Sequence, residues 1–241
     1  MLKANDIAKM IDHSLLRPEL TVEQVREGCR IAREYNTATV CVRPCDVALA
    51  KKELKGSEVL TTTVIGFPHG TNLTEIKVFE AEKAIRDGAV ELDMVMNYGR
   101  MLSREFDYVE QDIKAVVDVA HKFGVIVKVI LENCYLTDEL KAEACRICER
   151  AGADFVKTST GFGTGGATIE DLKLMRRACS KKVRVKAAGG VRTLDGALAA
   201  RAVGTVRFGA TATKVIMDEA YKREAEGTLK EASDDEVKGG Y

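Results

Sequence analysis

No tryptophan occurs in this 241-residue chain, and there are only three prolines and three histidines. The histidines, at positions 13, 69 and 121, are too dispersed to offer a metal-ligand spacing. His13 is expected to make a structural hydrogen bond, His69 to rim a loop and His121 to sit on a helix surface. An excess of either charge is missing too, since 37 Lys+Arg balance 37 Asp+Glu. A chain without a net field has nothing to draw nucleic acid or an anionic membrane towards it. No apolar run approaches the roughly 20 residues that cross a bilayer. No basic segment followed by an apolar one marks a secretory leader, so the expected location is the cytoplasm. A disulfide framework is not expected either. The seven cysteines are odd in number and scattered through a chain large enough to bury a core without crosslinks. Cys145 and Cys148 form a C-x-x-C inside a helical pattern with no second pair, and Cys41 and Cys45 are split by Pro44. Both pairs read as free thiols.

What the chain does contain is alternation. Short apolar runs at Ile11–Leu16, Thr37–Val42, Leu60–Phe67, Val90–Met96, Val125–Leu131, Phe155–Thr160, Val183–Ala188 and Val206–Gly209 read as strands. Between them lie helical periods near residues 21–35, 45–55, 74–87, 104–123, 137–150, 168–179, 193–203 and 212–225. Thr21, Thr137 and Thr168 stand before acidic first turns, and Gly88, Gly124, Gly152 and Gly204 close helices. Eight strands, each followed by a helix, predict an α/β chain folded as a (β/α)8 TIM barrel, with a short extra helix at Asn5–Met10. No G-x-G-x-x-G follows the first strand, which disfavours a dinucleotide-binding sheet. A single barrel domain over residues 1–221 is expected, followed by a polar, glycine-containing tail over 222–241.

In a barrel, side chains alternate between lumen and helix layer, and chemistry sits at the C-terminal ends of the strands. That alternation points Glu91, Asp93, Lys128, Glu132, Lys157 and Lys186 inward. Lysine is a poor strand former and is rarely buried without a partner. Two lysines here interrupt apolar runs that end in glycine turns: Val156-Lys157-Thr-Ser-Thr160-Gly161 and Val185-Lys186-Ala-Ala-Gly189-Gly190. A second ammonium about 4 Å away raises the cost of a lysine charge by about 4 kcal/mol at an effective dielectric near 20. A lysine pair is thus a sufficient device for making a nucleophilic amine. Asp93 nearby could shuttle protons. Gly161, Gly189-Gly190-Val191 and Gly209-Ala210-Thr211 run into helices, the usual place for a phosphate in a barrel. Parity alone does not rank Lys157 over Lys186 or Lys128 as the nucleophile.

At these residues the chain resembles class I deoxyribose-phosphate aldolase. The matching segments are Ile11-Asp-His-Ser-Leu-Leu-Arg-Pro18, Val40-Cys-Val-Arg-Pro44, Val64-Ile-Gly-Phe-Pro68, Glu91-Leu-Asp-Met-Val-Met-Asn97, Val156-Lys-Thr-Ser-Thr-Gly-Phe162 and Val185-Lys-Ala-Ala-Gly-Gly-Val-Arg192. The resemblance implies that Lys157 forms a Schiff base with the acetaldehyde fragment and that Lys186 perturbs it. It also implies that Asp93 relays protons with Thr160 and water. Phosphate of 2-deoxyribose 5-phosphate would lie on Gly161, Gly189, Gly190, Val191 and Gly209, with Thr211 adding a hydroxyl. The implied reaction is reversible cleavage to glyceraldehyde 3-phosphate and acetaldehyde, without a metal or organic cofactor. Some members end in a tyrosine that reaches over the site, the position held here by Tyr241. The last strand departs from the family's serine-rich turn: Ala212 lacks the hydroxyl, and Thr213 stands at a usually flexible position. Barrels of this kind often associate, so a homo-oligomer is expected. Another Schiff-base aldolase, a phosphosugar isomerase and an inactive sugar-phosphate-binding barrel remain the alternatives.

Overall fold

The computed structural model describes residues 2–233 and 237. Eight parallel strands form a closed barrel in chain order: β1 (Ile11–Leu15), β2 (Thr39–Val42), β3 (Leu60–Ile65), β4 (Glu91–Val95), β5 (Ile126–Ile130), β6 (Phe155–Lys157), β7 (Arg184–Ala188) and β8 (Thr205–Ala210). Helices α1 (Ala4–Ala8), α2 (Val22–Glu34), α3 (Val47–Glu53), α4 (Thr74–Asp87), α5 (Tyr98–Leu102), α6 (Phe106–Lys122), α7 (Asp138–Arg150), α8 (Ile169–Ala178), α9 (Leu194–Ala202) and α10 (Thr213–Ala225) surround it. The expected (β/α)8 barrel is therefore present, and α1 is the expected extra helix. None of the helices among the described residues is long and apolar enough to cross a membrane.

Local signals account for the element ends. The Thr21 hydroxyl accepts from the Gln24 amide at 3.3 Å, while the Gln24 side chain accepts from the Thr21 amide at 2.8 Å. This reciprocal box opens α2, and such a cap contributes about 1 kcal/mol. Thr137, Thr168 and Thr193 cap α7, α8 and α9 through their hydroxyls alone. Gly88 closes α4 with φ +112°, a conformation that carries little penalty only without a Cβ. The apolar core lies mainly between barrel and helices. Leu92, Met94 and Met96 are fully buried there, on the face of β4 opposite to Asp93.

Element ends differ from the predicted ones by a few residues, two of them for visible physical reasons. The run to Thr160 stops being strand at Lys157, because the Thr158 hydroxyl takes over the cross-strand bonding. It donates to the Ala188 carbonyl at 3.0 Å and accepts from the Ala188 amide at 2.9 Å. The helical period near 104–123 begins only at Phe106. Before it, Arg104 turns at φ +57°, and the separate α5 is capped by the Asn97 side chain. Helix α10 ends at Ala225, where the helical period near 212–225 places its end, and Leu229 beyond it returns to the core at 3% exposure.

Candidate active site

Strand register brings the ionisable residues together. Lys157 pairs with Lys186 across β6 and β7, Asp93 with Lys128 across β4 and β5, and Lys186 with Arg207 across β7 and β8. At the centre, the amines of Lys157 and Lys186 both donate to one oxygen, Oδ2 of Asp93, at 2.7 Å each. Lys128 approaches the other oxygen at 3.0 Å. All four side chains are at most 4% exposed. Asp93, Lys157 and Lys186 are thus brought together in the lumen, as the sequence predicts.

Lys128 is fixed differently. It also pairs with Asp12 at 3.1 Å and with Glu91 at 2.5 Å. Burial alone would lower its pKa, but Asp12, Asp93 and Glu91 outweigh burial and hold it well above the usual lysine value. A lysine so held remains an ammonium and is not a nucleophile. For Lys186 the balance reverses. Burial is the largest cause and lowers its pKa; Asp12 and Asp93 oppose it, and the charges of Lys128 and Lys157 lower it further. Desolvation therefore outweighs the lysine–lysine repulsion that the sequence suggests. Burial would raise Asp93, but Lys128, Lys157 and Lys186 together hold it far below the normal carboxylate range.

The structure adds two residues that strand parity was not used to find. Asp12 accepts from Lys186 and from Arg207, whose Nε lies 2.8 Å from it. Arg207 also reaches Glu91 at 3.0 and 3.2 Å. Their signal was present in the sequence: each is a charged residue inside a short apolar run, Ile11-Asp-His-Ser-Leu15 and Val206-Arg-Phe-Gly209.

Above the lysines opens a cavity of about 620 Å³ with Lys157, Lys186, Asp12 and Cys41 in its wall. Gly161, Gly189, Gly190, Val191, Gly209 and Thr211 line it as well, so all six predicted phosphate residues border one space. Gly190 has φ +111° and faces the N-terminus of α9, where unpaired amides favour an anion. Gly166 and Gly189 fit against each other so closely that a Cβ on Gly166 would sit 2.1 Å from the Gly189 carbonyl oxygen. The loops after β6 and β7 are thereby locked together.

Other predicted residues fall outside the lysine cluster. The hydroxyl of Thr160 donates to Glu132 and accepts from the Phe162 amide at 3.0 Å, so it is turned towards the β5 end. Glu132 reaches it from a left-handed turn at φ +54°. Thr213 is fully buried with its hydroxyl 2.8 Å from Nδ1 of His13, so it faces away from the phosphate turn. His13 is structural, and burial pushes its pKa down to about 4. His69 and His121 are exposed. Cys145 and Cys148 are buried free thiols. Tyr241 lies outside the described residues.

Comparison with known proteins agrees with this geometry. Residues 6–212 match the model of the DeoC/LacD family aldolases. A deoxyribose-phosphate aldolase of Clostridium perfringens strain 13 is 53% identical over 212 residues, covering 88% of this chain and 94% of that protein. A solved structure from Coccidioides immitis, provisionally called a deoxyribose-phosphate aldolase, superposes with a TM-score of 0.87 at 43% identity, over 90% of this chain and 87% of that one. A tetrameric deoxyribose phosphate aldolase from Aeropyrum pernix gives a TM-score of 0.84 at 31% identity, over 90% of this chain and 92% of its own. The chain belongs to the DeoC/LacD family of aldolases.

Proposed function

We propose that the chain is a Schiff-base lyase that reversibly cleaves 2-deoxy-D-ribose 5-phosphate to glyceraldehyde 3-phosphate and acetaldehyde. The observation that carries this reading is the shared Asp93 oxygen: two buried amines meet on it directly beneath a cavity rimmed by glycine turns. Lys157, as a free amine, attacks the C1 aldehyde of the open-chain sugar, and loss of water from the carbinolamine leaves an iminium. The iminium draws electrons from the C2–C3 bond as the 3-hydroxyl loses its proton. Glyceraldehyde 3-phosphate leaves, and the remaining enamine takes a proton at C2. Hydrolysis then frees acetaldehyde and restores the lysine.

Lys186 holds positive charge beside the reacting amine and disfavours a second charge there. Asp93 accepts hydrogens from both amines and, with water, carries protons between carbinolamine and solvent. Thr160, whose hydroxyl donates to Glu132, lines the same cavity as Lys157 and joins that relay through water. Gly161, Gly189, Gly190, Val191 and Gly209 receive the phosphate through backbone amides, with the Thr211 hydroxyl beside them. The reading requires no metal or organic cofactor. Association into a homo-oligomer is part of it and is measurable by light scattering.

Borohydride reduction in the presence of acetaldehyde, followed by peptide mass mapping, tests the assignment. An ethyl adduct on Lys157 is expected; no adduct, or one on Lys128, overturns it. For Tyr241 we propose assistance in protonating the enamine. Its removal should slow solvent deuterium exchange into acetaldehyde, and an unchanged rate would dismiss the role.

A further inference from the structure

We propose that Arg207 and Glu91, whose side chains lie beneath the reacting lysines and bond to neither amine, set the proton count of the lumen and so tune the pH at which the lysine pair supplies a free amine. The inference rests on reading Lys157 and Lys186 as the reacting pair.

The lumen can be inventoried strand by strand. Asp12 comes from β1, Glu91 and Asp93 from β4, Lys128 from β5, Lys157 from β6, Lys186 from β7 and Arg207 from β8. Their side chains are linked by ion pairs and none is more than 13% exposed. β2 contributes Cys41, which burial and then Asp93 push up to about 12, so it stays neutral. β3 contributes the Thr62 hydroxyl, 3.5 Å from Glu91. The remaining nearby charges do not enter the count. Glu132 is buried beyond the end of β5 with its carboxylate on Thr160 and forms no ion pair with these cations, His13 faces Thr213 outside the lumen, and Arg184 is exposed over the Phe155 ring at the base.

If every group were charged, three carboxylates would face four cations. Uncompensated charge in a water-poor interior is costly and is relieved by a change of protonation. Arg207 does not give up its proton. Lys128 holds three carboxylates and keeps its own. The excess therefore falls on Lys157 and Lys186, which share one oxygen. Arg207 creates that excess by occupying Oδ1 of Asp12 and both oxygens of Glu91. Without it, three carboxylates would balance three lysines, and both reacting amines would stay protonated.

The acid limb of the kcat/KM–pH profile reads this directly. Arg207→Met should move the limb to higher pH, with roughly tenfold loss at neutral pH and the alkaline plateau kept. Glu91→Gln should move it the other way, with roughly tenfold gain on the acid side. The double variant restores an excess of one cation and should return the limb towards the wild-type position, while Arg207→Lys leaves it in place. Coincident profiles, or a double variant no better than Arg207→Met, overturn the proposal, because a purely structural role predicts worsening with each change. Should Arg207→Met fail to fold, the direction of the Glu91→Gln shift decides alone. Acetaldehyde trapping on the wild type separates the two readings: no Lys157 adduct sinks the lysine assignment, whereas an adduct with unshifted profiles sinks only the charge count.

Discussion

Lys157 and Lys128 are both buried strand lysines on the same carboxylate, yet they should fail differently when removed. Lys157→Met deletes the proposed nucleophile while leaving Asp93 two other cations. Activity should fall at least ~1000-fold with little change in melting temperature. Lys128→Met leaves Asp12, Glu91 and Asp93 short of a shared partner. Removing one partner of a buried pair costs about 3–5 kcal/mol, so this variant should lose thermal stability and, with one lumen cation fewer, should lose activity at neutral pH but recover it on the alkaline side, which Lys157→Met cannot. Calorimetry and initial rates on the two purified variants distinguish the cases. The inward lysines and Asp93 were legible in the sequence, because a charge inside an apolar strand contradicts its surroundings and so demands a partner. The commitment of Thr160 to Glu132 was not legible. It depends on a left-handed turn at residue 132 that no residue pattern announces.

Strands and long helices were legible through apolar periodicity and threonine caps, with ends off by a few residues. The short α5 was not, since five residues carry too little periodicity and its existence depends on the Asn97 cap. The strand-like run through Thr160 misled because β-branched residues suit a strand, whereas here Thr158 uses its hydroxyl in place of a ladder bond. Among the loops, the contact of Gly166 with Gly189 permits a sharp test of the phosphate end. Gly166→Ala would drive a methyl into backbone and displace the turn after β7. KM for the phosphorylated sugar should rise roughly tenfold, about 1.4 kcal/mol of binding, with turnover of unphosphorylated 2-deoxyribose little changed. Equal effects on both sugars would remove the phosphate from those glycines. So would a wild-type enzyme indifferent to the phosphate.

At the scale of the whole molecule, acid sensitivity follows from buried groups far from one another in sequence. Burial pushes His13 from the ordinary histidine pKa of 6.5 down to about 4 in the fold. The unfolded chain therefore binds the extra proton first. The contribution of neutral His13 is complete above pH 6.5, is lost progressively as pH falls, and is gone by about pH 4. The slope amounts to roughly 3 kcal/mol across that window. His13→Gln can still hydrogen-bond Thr213 and should flatten the decline, as measured by denaturant unfolding at several pH values. An unchanged slope would assign the acid loss to other groups. A different consequence comes from the seam between the first and last helices. The Ala4 amide donates to Glu224 at 3.0 Å, and α1 packs on α10. The ring is closed there by contact, not by peptide linkage, so chain order around the barrel is in this sense arbitrary. A circularly permuted gene, opened at the exposed Gly56 turn and rejoined by a linker from beyond α10 back to α1, should encode the same ring with the same lumen.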